Sequence, residues 1–122
     1  METKGKRALG KLGEEMACHF LEARGHRILQ RNWQGSHLEV DIISEAGDGV
    51  HFVEVKARMD AGAAPEERVD ARKQRRISAA ALKYLNETGS DREVFFDVVA
   101  VTFDGAQTSV KYFPQAWIPM YT

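Results

Sequence analysis

Apolar residues recur at Leu9, Leu12, Met16 and Phe20, three or four positions apart, and this spacing predicts a helix over 7–24 that stops at Gly25. The stretch HRILQRNW (26–33) alternates loosely and predicts a first strand. HLEVDIIS (37–44) and VHFVEVKA (50–57), rich in β-branched residues, predict a second and a third, joined by a tight turn at Gly47-Asp48. RMDAGAAPEER (58–68) holds small residues and turn formers and predicts a loop. Asp70 is placed to cap a second helix that runs through Tyr84 and Leu85 and stops near Gly89, with Ile77, Ala81, Tyr84 and Leu85 as its buried stripe. EVFFDVVAVTF (93–103) is nearly continuous in apolar residues, as an interior strand is, and TSVKYF (108–113) predicts the last strand. The order α-β-β-β-α-β-β predicts an α/β fold, a central mixed five-stranded sheet flanked by helices. Without repeats or a linker, residues 1–122 read as one domain, with 114–122 as a C-terminal tail.

Charges interrupt this pattern in one place. Strand side chains alternate between faces. Leu38, Val40 and Ile42 would then share one face and Glu39, Asp41 and Ile43 the other; on the next strand Phe52, Glu54 and Lys56 fall together. A turn at Gly47-Asp48 sets Ile43 opposite Phe52, Asp41 opposite Glu54 and Glu39 opposite Lys56. Opposed side chains stand with Cβ atoms about 4.5–5.5 Å apart, so Asp41 and Glu54 would repel unless a cation lay between them. Hard divalent cations such as Mg²⁺ take oxygen ligands of this kind. The competing arrangement is a surface ladder, with Glu39 paired to Lys56 and the two acids solvated.

Composition narrows the setting. Apolar residues make up 43% and charged residues 29%, which excludes a disordered chain. The single cysteine, Cys18, allows no internal disulfide and points to a reducing compartment; no zinc-ligand spacing occurs. No apolar run approaches the roughly 20 residues of a membrane helix, and the basic N-terminus lacks the apolar segment of a signal peptide, so a cytoplasmic protein without membrane contact is expected. The formal net charge of −1 argues against coating nucleic acid by bulk charge. Locally the balance differs: seven basic residues against four acidic ones lie between Lys56 and Arg76, and Lys4, Lys6, Arg7 and Lys11 form a second group. On the second helix Arg72, Arg76 and Lys83 fall within about 40° of one another on the polar face. Arg58 and Arg68 flank the loop. These residues make a candidate surface for phosphate contacts.

EVD on one strand and EVK on the next resemble the PD-(D/E)xK nuclease motif. The ordered set LGEEMACHFLEARGHRIL, LEVDII, HFVEVKAR, DARKQRRISAAALKYL and FFDVVAV, over about residues 5–113, is similar to the YraN family of small bacterial proteins, described as predicted endonucleases. The resemblance implies a restriction-endonuclease-like fold akin to archaeal Holliday-junction resolvases. It also implies an acid after a glycine in the first helix, which here is Glu14 after Gly13. By helix geometry Glu14 lies about 20° beyond Leu21 at the edge of the apolar arc, beside Gly10, Gly13 and Ala17, small residues that let a helix approach a sheet closely, whereas Glu15 lies on the polar face. The chain departs from the family where many relatives have Gly-Gly-Glu; here GSHLEVD puts His37 and Leu38 before Glu39, and Val40 stands at the motif's proline position.

The implied activity is Mg²⁺- or Mn²⁺-dependent hydrolysis of phosphodiester bonds in DNA, branched or junction DNA included. Asp41, Glu54 and the backbone carbonyl of Val55 would hold the metal with help from Glu14, and Lys56 would orient the attacking water and stabilise the developing charge. Glu39 is an accessory acid. Arg58, Arg72 and Arg76 would bind nucleic acid, and the resemblance adds Lys73 and Gln74, where related nucleases carry a polar helper. Resolvase-like relatives work as dimers, so a homodimer is expected. The alternative is a nucleic-acid-binding module that keeps the fold without turnover.

Overall fold

The computed structural model describes residues 2–59, 69–105 and 107–118, with side chains from residue 7 onward. Arg68, the side chains of Lys4 and Lys6, and most of the predicted loop lie outside the described residues. The elements are α1 (Glu2–Ala23), β1 (Arg27–Gly35), β2 (Leu38–Ala46), β3 (Gly49–Arg58), α2 (Ala71–Thr88), β4 (Val94–Asp104) and β5 (Gln107–Phe113). They follow the predicted order, and the five strands form one mixed sheet in the order β1-β2-β3-β4-β5.

Among the described residues only β3 and β4 run parallel, with Phe52 beside Phe96 and Glu54 beside Val98. A parallel pair needs a crossover, and α2 supplies it. The helix is set by its ends: the Asp70 carboxylate accepts the Lys73 N–H at 2.8 Å, and Gly89, left-handed at φ 69°, donates its N–H to the Leu85 carbonyl. α2 covers one face through Ile77, Ala80, Ala81 and Tyr84, packed on Ile43, Phe52, Phe96 and Val98. α1 covers the other through Ala17, Cys18 and Leu21, packed on Ile42, Val53, Val99 and Val101.

The buried side of α1 differs from the apolar spacing that predicted the helix. Leu12 is 46% exposed, while Gly13, Ala17, Cys18 and Leu21 are buried. Small residues win this face because the helix lies close to β3. A Cβ on Gly13 would stand 2.6 Å from the Ala57 Cβ, closer than carbon atoms pack; Gly10 has open space.

The β2–β3 hairpin has the expected register, with Ile43 opposite Phe52 and Ser44 opposite His51 around the Gly47-Asp48 turn. Two features were not foreseen. The paired residues end at Ile42 and Val53, so the ladder stops short of Asp41–Glu54 and Glu39–Lys56. The alternation of β2 also slips. Val40 packs on the α2 side and Ile42 on the α1 side, although two residues apart should share a face. The slip falls at Asp41. Across β1, Asn32 is left-handed at φ 51°, and β1 carries a bulge between Ile28 and Gln30.

At the turn end of the sheet a polar network is buried beneath α1. His51 Nδ1 lies 2.6 Å from Asp97 Oδ2, and its Nε2 lies 2.8 Å from Asp48 Oδ1. Tyr112 donates its hydroxyl to the same Asp97 oxygen, and the Gln115 N–H donates to the other. Past β5 the chain folds back: the Ala116 N–H donates to the Phe96 carbonyl, and Trp117 is buried against Phe96. Trp33 meets Tyr84 edge-on, so both tryptophans serve packing. Among the described residues, no helix is long and apolar enough to cross a membrane.

Candidate functional site

The slip in β2 decides where the acids go. At Asp41 the chain turns between faces, and its carboxylate accepts the Val55 backbone N–H at 2.8 Å, bridging β2 and β3 just beyond their last ladder pair. Glu54 stays in β3, beside Val98 of β4, with only 5% of its surface exposed. It points to the α2 side, where the Lys73 ammonium pairs with it. Asp41 and Glu54 are close enough to share a hydrogen bond between carboxyl groups. Burial first, then the bond to Glu54 and its charge, push the Asp41 carboxyl well above the ordinary range; the Val55 N–H and the Lys73 ammonium offset this only in part.

A cleft of about 490 Å³ opens beside them, lined by Leu9, Gly10, Glu14, Asp41, Val55 and Lys73 among others. Glu14 enters from α1, held in place by the close approach at Gly13. Its carboxyl is raised chiefly by burial, against a hydrogen bond from Asn32, with Asp41 and Glu39 adding repulsion. Glu15 is exposed, as its place on the polar side of the helix required. Glu14 and Asp41 thus line this cleft from two elements, while Glu54 lines the adjoining one, with Val55 and Lys73 shared by both. Asp41 and Glu54 are in contact; Glu14 stands off, and among the described residues no set of three Asp, Glu, His or Cys side chains is gathered closely enough to hold a metal alone. Lys56 is half-buried and lines the adjoining cleft with Glu54, Arg58, Asp70 and Lys73.

The remaining predicted residues separate. The expected single face of four charges does not form, because Asp41 bridges two strands and Glu39 lies beyond the β2–β3 ladder. Glu39 is exposed opposite Gln34 of β1 and lines a groove with Arg72, Lys73 and Arg76. Arg72 and Arg76 are exposed, and Arg76 reaches the His37 carbonyl at 3.4 Å. Gln74 donates its amide to the Val69 carbonyl at 2.7 Å, anchoring the chain as it enters α2. Lys83, which also falls on the polar face, pairs with Glu87. Asn32 was missed: nothing in NWQG marks a left-handed residue whose side chain meets an acid on another element. The Lys73–Glu54 pair was also missed, because a sequence gives the side of a helix and not the depth to which a side chain reaches.

Comparison with known proteins places the chain in a family. The model of a family described as "Uncharacterised protein family UPF0102" matches residues 13–101, which span Glu14, both acid strands and α2. A UPF0102 protein of Anaeromyxobacter dehalogenans is 43% identical over 115 residues, covering 93% of this chain and 86% of its own length. Relatives from Myxococcus xanthus (92% of this chain and 90% of the relative) and Rhodococcus jostii (90% and 96%) are each 40% identical. With a match of this extent to the family model and to relatives covered over most of their length, the chain belongs to the UPF0102 family.

Proposed function

We propose that the protein is a divalent-metal-dependent nuclease that hydrolyses phosphodiester bonds of DNA, branched or junction DNA included. The observation that carries this reading is the contact of half-buried Asp41 with buried Glu54 at the end of the β2–β3 ladder, with Lys56 two residues further along the strand. Two carboxyl groups held together, one of them buried, are unfavourable in isolation, and a fold keeps such a pair where a cation completes it.

The donor set fits Mg²⁺ or Mn²⁺, since it offers only hard oxygens: the carboxylates of Asp41 and Glu54, the Val55 carbonyl, and Glu14 at the cleft wall. The metal, when bound, supplies a polarised phosphate and a water of lowered pKa. The protein's own groups do the rest. The Val55 N–H fixes Asp41, and the interior position of β3 fixes Glu54. The Lys56 ammonium, on the same strand, orients the attacking water and stabilises charge building on the phosphate. Arg72 and Arg76 grip the backbone without reading sequence, and Arg58 stands at the end of β3. Cutting both strands of a junction asks for two such sites, so a pair of chains is the working unit.

Incubation with branched, flapped and single-stranded DNA in Mg²⁺, Mn²⁺ or EDTA tests the reading. Cleavage should require metal and should fall by at least about a hundredfold in Glu54→Ala and Lys56→Ala. Cleavage that survives either substitution would overturn it. The Lys73–Glu54 pair favours a second reading, a DNA-binding module in which the ammonium permanently takes the metal's place. That reading requires binding to the same DNAs with no metal-dependent turnover.

A further inference from the structure

We propose that Lys73 is the resident counter-cation of the acid pair: its ammonium holds the place on Glu54 that a divalent metal takes, and leaves when the metal arrives. The inference rests on the metal-dependent reading above. Glu54 is almost wholly buried, while Lys73, paired with it, is 55% exposed along its side chain. The backbone at Lys73 is fixed, because its N–H is bonded to the Asp70 cap. The four-carbon stem is the mobile part. Lys73 also lines the cleft that Glu14, Asp41 and Val55 share, and its charge acts on Asp41 as well as on Glu54.

An ammonium and a dication cannot both touch one buried carboxylate without strong repulsion, so the metal exchanges with Lys73 rather than adding beside it. The displaced ammonium swings outward into the groove that Lys73 already lines with Arg72 and Arg76. A phosphate in that groove then meets a third cation only after the metal is in place. Lys73 is a positioning residue: it keeps the empty site in order and joins the nucleic-acid surface once the site is loaded.

Calorimetric titration of Mg²⁺ into the wild-type protein, Lys73→Met and Lys73→Arg at mildly alkaline pH tests this. With its competitor removed, Lys73→Met should bind Mg²⁺ at least about tenfold more tightly, while Lys73→Arg stays near wild type. Equal or weaker binding by Lys73→Met overturns the proposal, since a merely structural lysine would change stability and leave affinity alone. Should Lys73→Met fail to fold, the wild-type protein decides. The Lys73 side-chain Cε–H resonance, assigned by its absence from Lys73→Arg, should shift on adding Mg²⁺, and an unmoved resonance overturns the exchange. Absence of any Mg²⁺ binding removes this proposal together with the metal-dependent reading. Wild-type binding with unchanged affinity in Lys73→Met removes the exchange alone.

Discussion

Asp41 is held by two contacts of opposite effect. The Val55 N–H favours its charged form, whereas burial and Glu54 disfavour it, and the second influence prevails. Asp41→Asn keeps an oxygen for the Val55 N–H and removes the repulsion. It should raise the metal-free melting temperature at neutral pH, by about 1 kcal/mol in stability, and abolish any melting shift on adding Mg²⁺. Thermal melts with and without Mg²⁺ check both outcomes. His51 presents the reverse sign. Burial alone would push its pKa down, but the hydrogen bonds to Asp97 and Asp48 outweigh that and hold it up. A raised histidine contributes stability that is full below its unfolded pKa of about 6.5 and is lost as pH rises through the folded value. His51→Gln should therefore melt lower than wild type in mild acid, with the gap narrowing as pH rises above neutrality. A gap that stays constant with pH would show that the imidazolium is not what the network holds. Neither group could be ranked this way from the sequence, because the Asp97 and Tyr112 contacts join strands that are distant along the chain.

At the scale of elements, legibility followed local chemistry. α2 could be read almost to the residue because Asp70 and Gly89 carry their capping roles in their own side chain and backbone. The β2–β3 turn fixed the upper register for the same reason. α1 was placed correctly and the close approach of its small side, at Gly13 and Ala17, was legible; the apolar spacing misled at Leu12, which stands exposed, because it records which residues are hydrophobic and not how near the sheet comes. Gly13 shows the difference. Alanine gains up to about 1 kcal/mol of helix propensity over glycine, yet its Cβ would overlap Ala57, and such overpacking costs about 1–3 kcal/mol. The clash should win, so Gly13→Ala melts lower in urea and thermal unfolding. Adding Ala57→Gly should restore much of the loss, because the two atoms compete for one space. The slip at Asp41 had no local signal. It depends on Val40 finding the α2 core while Ile42 finds the α1 core, a choice made by both layers together.

For the molecule as a whole, charge placement matters more than charge total. The formal net charge is −1, yet Arg72 and Arg76 stand exposed at a groove that Lys73 shares and that adjoins the acid site. Nucleic acid bound there would be held by a few phosphate contacts. Replacing Arg72 and Arg76 together by alanine should weaken DNA binding similarly for unrelated sequences. It should also flatten the plot of log affinity against log salt by about 2, as two lost phosphate contacts require. A loss confined to one sequence would point instead to base recognition. The parallel pairing of β3 with β4 bears on how the chain assembles. The β2–β3 hairpin closes over a two-residue turn and can form early, whereas β4 and α2 must come from farther along the chain. The slip at Asp41 needs the cores of both helices, so the acid pair closes only after α1 and α2 have docked on the hairpin. The cost of holding the two carboxyls together is then met late in folding, so Asp41→Asn should slow unfolding more than it speeds refolding, as rates measured across a urea series would read.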